Sequence, residues 1–368
     1  MIINSVIKSG SAPAPTSGFT VRYIDYDGTI LKTQHVSAGG YSTHPNDPVH
    51  TGLTFQYWGN ATIGRNIQAD LDIGATYIPT DGKTHAFIRT TVTTGLDLVL
   101  FLNKSDGSTL TVDWGDSSSG TFTNTGNFNT GTHTYASEGD YEITLEITSG
   151  TGTYGLENAS SGKAFCGGAT AIQRDMLQDI WVGSDVTSIG DYAFYSCYSL
   201  ASIVIPSSVT SIGNYAFQYC YSLASVVIPN GVTSIGTNVF RYCYSLASVV
   251  IPSGVTSIGN YAFQNCYALP AIVIPSGVTS IGDYSFQSCY ALPAIVIPSG
   301  VTSIGTNAFQ ACYATHEYHF ESTMPPTLGD TIFLNLTPST KIFVPTASLD
   351  DYKVATNWVT YADYIYGE

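Results

Sequence analysis

Cysteine is the most reactive residue type in this chain, and its spacing is regular. Six of the seven cysteines follow one another at intervals of 23 residues. A zinc site needs closely spaced cysteine pairs, and a reactive thiol needs a nearby cation that lowers its pKa; the sequence supplies neither. Equivalent side chains of a repeat also point the same way, which is poor disulfide geometry. We therefore predict a buried structural ladder of free thiols at Cys197, Cys220, Cys243, Cys266, Cys289 and Cys312.

A tyrosine follows each ladder cysteine, and 13 tyrosines but only three charged residues lie between Val186 and Tyr313. If the cysteines point inward, the rings that follow them point outward or along the edge of each repeat. Two interpretations stay open: the rings contact a glycan or a protein, or they stack on one another and shield the repeat edges. A second column, interrupted at Asn238 and Asn307, consists of Tyr192, Tyr215, Tyr261 and Tyr284. The candidate ligand-binding residues are Tyr198, Tyr221, Tyr244, Tyr267 and Tyr290.

Several further motifs have the residue types of a site but not its pattern. Asp113 and Asp116 have the oxygen ligands that Ca²⁺ prefers, but such residues more often close their own turn by accepting backbone hydrogen bonds. His316–His319 lacks the histidine spacing of a zinc-binding helix. Gly150–Gly155 matches a dinucleotide-binding glycine pattern without the helix that this pattern requires, and we interpret it as a flexible linker. The sequence thus predicts a non-enzymatic protein without a metal or cofactor.

The cysteines and tyrosines belong to a repeat of 23 residues. The phrase V-T-S-I-G begins at Val186 and recurs without a slip in its period until Val301. Within each copy, L-x-x-[IV]-x-I alternates like a short strand, proline ends that strand, and I-G-[DNT]-[YN] supplies a turn. One copy cannot bury its own apolar side chains, so the copies should stack in register as a parallel solenoid with strands about 4.8 Å apart.

Outward positions of the predicted strands form a flat sheet of small residues. Such a surface either buries against a flat partner or a second copy, or is merely regular repeat sequence. The outward positions are Ser202, Val204, Ser225, Val227, Ser248, Val250, Ala271, Val273, Ala294 and Val296.

From Leu177 to Phe320, the pattern A-F-x-x-C with I-x-I-P resembles the BspA-like, bacterial-surface class of leucine-rich repeat. The resemblance implies strands along one face, with buried phenylalanine and cysteine columns. The first copy departs from the pattern because Gly183 stands where later copies have proline.

The ends of an open solenoid need caps. Ala164-Phe165-Cys166 is predicted to belong to a degenerate N-terminal cap. Downstream, Tyr318 and Phe320 keep the inward positions, and Ser348 with Asp351 matches a helix N-cap signature.

Two different modules precede the repeats. FTVRYIDYDGTILKTQHV, which begins at Phe19, predicts a β-hairpin that turns at Asp27–Gly28. With HPNDPVHTGLTFQYWG and DIGATYIP, it resembles the small β-grasp repeat of internalin-type surface proteins. From Lys83 to Gly150, V-D-W-G-D and H-T-Y-x-x-x-G-x-Y resemble the polycystic-kidney-disease-type, Ig-like β-sandwich. Tyr141 of this module is predicted to be a tyrosine corner that ties a loop to the backbone.

Composition restricts the class of partner. The 368 residues have a net charge of -15 and only 11% charged residues, with no basic stripe for nucleic acid or for an anionic membrane. The sequence contains neither a transmembrane run nor a clear signal peptide. We expect an extracellular or cell-surface location, or display on a phage particle.

The predicted fold class is mainly β: a parallel leucine-rich-repeat solenoid preceded by β-grasp-like and Ig-like sandwich domains. The predicted function is binding or adhesion, with the solenoid as an extended recognition surface for a host or neighbouring surface protein or a glycan. The alternative is a structural role in a phage tail or surface layer; the oligomeric state stays open. The predicted boundaries are 1–18 for a flexible N-terminus, 19–82 and 83–150 for the two β domains, 151–185 for a linker and cap, 186–320 for the solenoid, and 321–368 for the C-terminal cap.

Overall fold

The protein divides into two compact units, residues 1–82 and 83–368. In the computed structural model, each unit is built almost entirely of β-strands. The structure describes residues 19–24, 30–36, 53–58, 71–79, 81–90, 96–98, 100–130, 132–156, 175–333 and 336–368.

The first unit contains a four-stranded sheet with the strand order β2-β1-β4-β3. Antiparallel pairing of β1 with β2 confirms the predicted hairpin, although its turn at Asp27–Gly28 lies outside the described residues. β1 pairs with β4 in parallel, and Val21 and Tyr23 on β1 are fully buried. The strands are β1 Phe19–Ile24, β2 Ile30–Val36, β3 Leu53–Trp58 and β4 Leu71–Pro79.

The second unit begins with a β module, residues 83–156, whose core lies between its sheets. Leu110, Val112, Ile143 and Leu145 are fully buried, as the alternation of apolar and polar residues along their strands predicts. The strands are β5 Thr84–Thr90, β6 Leu96–Leu98, β7 Phe101–Lys104, β8 Thr109–Asp113, β9 Ser119–Phe122, β10 Gly126–Asn129, β11 His133–Tyr135, β12 Gly139–Ser149 and β13 Tyr154–Leu156.

A parallel β-solenoid follows, as predicted, and it carries two strand ladders instead of the one predicted per repeat. The predicted strands form the first ladder, and the V-T-S-I phrases form the second. Alternation could not reveal this second ladder, because in V-T-S-I the two apolar residues lie three positions apart. Its strands are defined by backbone pairing with the next coil.

The first ladder consists of β14 Leu177–Trp181, β16 Ser202–Val204, β18 Ser225–Val227, β19 Ser248–Val250, β22 Ala294–Ile297, β24 Glu317–Phe320, β26 Lys341–Val344 and β27 Ile365–Gly367. The second consists of β15 Val186–Ile189, β17 Ser211–Ile212, β20 Ser257–Ile258, β21 Ser280–Ile281, β23 Ser303–Ile304 and β25 Thr327–Leu328.

Like residues stack on like inside the solenoid. The rings of Phe194, Phe217 and Phe240 are fully buried and nearly parallel, with centroids 5.2 and 5.4 Å apart. Leucine, isoleucine and valine columns surround them, so each coil is covered only by the coils above and below it. Burial of this kind is the largest favourable term in folding, at roughly 25 cal/mol per Å² of apolar surface.

The β module covers the first coil by extending its sheets. β5 pairs with β14 in antiparallel fashion, and β13 pairs with both β7 and β15. The flexible linker predicted at Gly150–Gly155 is therefore wrong at Tyr154 and Gly155, which lie in β13. Gly183 explains its departure from proline here, because its backbone N–H donates to Thr84 Oγ1 at 2.9 Å and proline has no such donor.

An aromatic cluster covers the last coil. Tyr318 and Phe320 are buried as predicted, and the Trp358 indole packs on Phe320 and donates to the carbonyl of Pro326 at 2.8 Å. The cap contains a 3₁₀ helix at Thr346–Ser348, helix α1 at Leu349–Val354 and a 3₁₀ helix at Val359–Tyr364. Helix α1 starts after Ser348 as predicted, but the Ser348 side chain makes no capping hydrogen bond.

Candidate functional site

The cysteine column has the chemistry of a core, not of a reactive site. The five thiols from Cys220 to Cys312 are free and buried. Each thiol donates to the carbonyl of a phenylalanine 26 residues earlier, for example Cys266 Sγ to Phe240 O at 3.3 Å. Burial raises the pKa of Cys266 well above its usual value, and burial raises that of Cys312 to about 12. These thiols therefore stay protonated and unreactive at neutral pH.

Cys197 is the exception in this column. It is disulfide-bonded, and its partner lies outside the described residues, as does Ala164-Phe165-Cys166. The prediction of a free thiol is therefore wrong at this position. Cys197 lies in the first coil, where cysteines of the preceding segment come within reach, whereas the later cysteines have only their own column as neighbours.

The candidate ligand-binding tyrosines form one continuous stack. Ring centroids of Tyr198, Tyr221, Tyr244 and Tyr267 are 4.6–4.8 Å apart with planes within 14° of parallel. The stack continues through Tyr290 to Tyr313. Since each ring face is covered by the next ring, this outer column presents ring edges and hydroxyl groups to solvent. The stacking interpretation is thus correct for the faces, and the contact interpretation stays open for the edges.

Tyr219 and Tyr242 form a further stack, 4.8 Å apart, which sequence reasoning missed. Their edges meet Tyr221 and Tyr244 of the outer column at 6.1 and 6.0 Å. On the other side, Tyr195 links Tyr219 to the second column. We call these three stacks together the tyrosine face. Its members are Tyr192, Tyr195, Tyr198, Tyr215, Tyr219, Tyr221, Tyr242, Tyr244, Tyr261, Tyr267, Tyr284, Tyr290 and Tyr313.

Backbone conformation explains how the tyrosine face is built. Tyr215 and Tyr261 have φ angles of 60° and 58°, which is unusual for bulky residues. This left-handed conformation directs their N–H groups along the solenoid axis, where they donate to Thr237 O and Asp283 O at 2.9 and 2.8 Å. Hydrogen bonds to the next coil therefore account for the strain, and the strain itself is no sign of a ligand.

A second surface lies on the first strand ladder. The outward valines are exposed as predicted: Val227 by 62%, Val250 by 52%, Val273 by 79% and Val296 by 47%. Strand pairing continues this column through His319 to Phe343 and Tyr366. We call it the valine face; it is apolar and flat along its first four positions.

Asp113 and Asp116 are occupied by their own turns. The Asp113 carboxylate accepts from Gly115 N at 2.9 Å, and that of Asp116 accepts from Ser118 N at 3.1 Å and pairs with His133 at 2.9 Å. Burial opposes ionisation of Asp116, but its partners outweigh burial and lower its pKa. Among the residues that the structure describes, no group of three or more metal-ligating side chains could hold an ion.

Arg241 and Asn238 form a site within the tyrosine face that sequence reasoning did not assign. Asn238 replaces a ring of the second column, and the Arg241 guanidinium lies 5.0 Å from the Tyr261 ring and 4.7 Å from the Tyr242 ring. The available signal was their coincidence in one copy, where the column gap and the lone cation of the repeats occur three residues apart.

Two strand ladders, stacked apolar columns and caps at both ends define a leucine-rich-repeat solenoid. The family of the BspA type leucine rich repeat region matches in six copies, at residues 170–270 and 256–353, which together span half of the chain. This chain belongs to that family. No helix in the described residues is long and apolar enough to cross a membrane.

Solved structures of bacterial repeat proteins are similar at low TM-scores. A leucine-rich repeat protein from Bacteroides ovatus is 27% identical with a TM-score of 0.34, over 44% of this chain and 49% of that one. A leucine rich cell surface protein from Faecalibacterium prausnitzii is 28% identical with a TM-score of 0.33, over 50% of this chain and 64% of that one. For the T. pallidum leucine rich repeat protein, the identity is 26%, the TM-score 0.36, and the coverage 55% and 94%.

The chain thus spans less than two thirds of the first two of these proteins. No curated protein matches it.

Proposed function

We propose that this protein is a non-enzymatic binding or adhesion protein, displayed at a bacterial surface or on a phage particle. The tyrosine face is its recognition surface for a protein or glycan. The two N-terminal modules, as β-grasp and polycystic-kidney-disease-type domains, serve as spacers. Membership of the family supports the repeat scaffold.

One observation carries the proposal: the tyrosine face is a large aromatic surface, nearly free of charge, on a rigid support. Stacked rings lose little side-chain entropy on binding, because their rotamers are already fixed by their neighbours. Partial burial raises the pKa of Tyr221 to about 12, and the phenols of Tyr198 and Tyr244 add to this rise, so the hydroxyl stays protonated at neutral pH. It can then donate as well as accept hydrogen bonds.

The test is a glycan and host-protein array probed with three forms of the whole protein. They are the wild type, a Tyr221/Tyr244/Tyr267→Ala variant and a Tyr221/Tyr244/Tyr267→Phe variant. We expect the alanine variant to lose its ligands. The phenylalanine variant keeps the stack and should lose those ligands that need the hydroxyl groups.

A Val250→Thr variant on the valine face is the matched control, and it should bind like the wild type. Equal binding by the wild type and the alanine variant, or no ligand for the wild type, would remove the case for the tyrosine face.

The valine face favours a second candidate function, assembly. Four valines exposed by 47–79% lie in one uncharged column, which a second copy of the same flat face would cover. Light scattering of the wild type and a Val250→Lys variant distinguishes this function. A wild-type dimer that the lysine dissociates supports assembly, and a wild-type monomer at high concentration argues against it.

A further inference from the structure

The second tyrosine column is broken at one coil. Tyr192 stacks on Tyr215 at 4.6 Å, and Tyr261 stacks on Tyr284 at 4.9 Å, but Asn238 stands between these pairs. Among the described residues, no ring stacks on the face of Tyr215 that points away from Tyr192. The column therefore has a gap one ring thick, flanked by two tyrosines.

Arg241 breaks a different column in the same coil. Its equivalents are Gln218, Gln264, Gln287 and Gln310. From Gln264 onward, each side-chain amide donates to the next one. Where the arginine interrupts the series, Gln264 Oε1 and Arg241 Nε are both buried without a hydrogen-bond partner.

A glutamine at position 241 would continue this ladder, so the arginine costs local stability. Breaks of a local rule without a structural gain are most often found at functional sites.

The guanidinium group is placed at the gap. Nη1 donates to Asn238 Oδ1 at 3.4 Å and Nη2 donates to the Tyr242 hydroxyl at 3.2 Å. A guanidinium has five N–H donors, so one on each of these nitrogens remains for another acceptor. The side chain is half-buried, which strengthens any ion pair that it forms.

This positive charge has no counter-ion in the described protein. No carboxylate there forms an ion pair with Arg241, and it is the lone cation between Val186 and Tyr313. The two acidic residues in that stretch, Asp191 and Asp283, each accept a backbone N–H from the following coil, at 2.6 and 2.7 Å.

We propose that Arg241 and the gap at Asn238 bind a sugar residue that carries one carboxylate. This inference rests on the tyrosine face being the recognition surface. The guanidinium pairs with the carboxylate, Tyr215 and Tyr261 pack against the C–H faces of the sugar ring, and the Asn238 amide bonds to its hydroxyls. A polyanion fits poorly, because one cation stands in a chain of net charge -15.

The experiment measures binding of the whole protein to sialyllactose, a uronic acid disaccharide, sulfated lactose and lactose by calorimetry. We expect at least tenfold tighter binding of a carboxylated sugar than of lactose. Preference for sialyllactose or for the uronic acid identifies which acidic sugar is recognised. Tighter binding of the sulfated sugar, or equal binding of lactose, overturns the proposal.

Three variants test the residues. Arg241→Gln, which restores the amide ladder and should raise the melting temperature, is expected to lose at least tenfold in affinity. Asn238→Tyr, which fills the gap with a ring, should lose as much. Asp283→Asn is the matched control, since Asn214 and Asn260 already accept the same backbone bond at equivalent positions, and its affinity should be unchanged.

Other outcomes separate this proposal from the one on which it rests. A wild type that binds array ligands through Tyr221, Tyr244 and Tyr267 but no acidic sugar removes this inference alone. An acidic peptide that binds in place of sugars, and depends on Arg241, also overturns it. A wild type without any array ligand removes both.

Discussion

The β module and the solenoid tie their turns with the same side-chain types over different distances along the chain. In the β module, Asp106 and Asp113 accept from the N–H groups of Ser108 and Gly115, two residues further on. In the solenoid, the equivalent acceptors reach 23 residues further, as from Asn260 Oδ1 to the N–H of Asp283. One region closes its turns locally, and the other joins each turn to the next coil.

This difference teaches how each region obtains its stability. The β module builds its core from residues distant in sequence, with carboxylates fixing individual turns. The solenoid has neighbouring copies that are each other's core, so a fault in one coil affects the coils above and below it. Both regions share one continuous hydrophobic core and one extended sheet, through β5 and β14.

The largest effect is expected from Phe240→Ala. Its fully buried ring stacks on Phe217 and Phe263, both at 5.4 Å, so the truncation leaves a cavity between three coils. We expect a loss of about 3–5 kcal/mol in the free energy of unfolding, measured with denaturant. Tyr244→Ala, in the half-exposed outer column, should cost about 1 kcal/mol. Equal losses would contradict the division between core and tyrosine face.

Next in size is Gly259→Ala. An added Cβ would lie 2.7 Å from the backbone carbon of Gly236 in the preceding coil, so the coils must move apart. Overpacking of this kind costs about 1–3 kcal/mol in unfolding free energy. In the β module, Gly107 has nothing within 4 Å of an added Cβ, and Gly107→Ala should change stability by less than about 0.5 kcal/mol. Similar melting temperatures for both variants would disprove the close approach of the coils.

Alkaline pH should destabilise the solenoid. Burial and neighbouring phenols raise the pKa of Tyr221 to about 12 and raise that of Tyr267. The folded chain thus holds protons that the unfolded chain loses above about pH 10. Stability is unaffected below that pH and falls as the pH rises through the folded-state pKa. Thermal melts followed by circular dichroism should show this fall, and it should be smaller in Tyr221→Phe.

Acid should produce the smallest effect, in the β module. Because the folded-state pKa of Asp116 is lowered, its contribution is present above the ordinary carboxyl pKa and is lost as the pH falls below about 4. A surface pair of this kind contributes less than about 1 kcal/mol. Asp116→Asn should flatten the acid side of the stability profile, which denaturant titrations at several pH values would measure. An unchanged profile would mean that the His133 pair contributes nothing.

Prediction from sequence was strongest where the repeat averages over local ambiguity. The solenoid, its first strand ladder, the buried cysteines after Cys197 and the outward valines follow from the 23-residue period and the alternation within it. The V-T-S-I ladder did not follow, because its strands are two to four residues long and do not alternate. The pairing of β13 was missed because its partners, β7 and β15, lie on either side of it in the sequence.

The candidate site was only partly predictable. The outer column was named from its spacing, but stacked rings that expose edges instead of faces are a property of the coil spacing and rotamers. Tyr219 and Tyr242 were missed because their column holds Asn265, Ser288 and Ala311 in later coils. Arg241 was noticed as one of three charges, but its position over Tyr261 depends on contacts between successive coils.

The sequence by itself determined that like residues stack, because a fixed period leaves each copy's apolar side chains no other partner. It also determined the turn residues and the caps. Tertiary structure alone decided which groups meet across coils: the guanidinium beside the column gap, and the Gly183 N–H on Thr84. Such meetings depend on side-chain direction and on chain segments far apart in sequence, which a one-dimensional period does not specify.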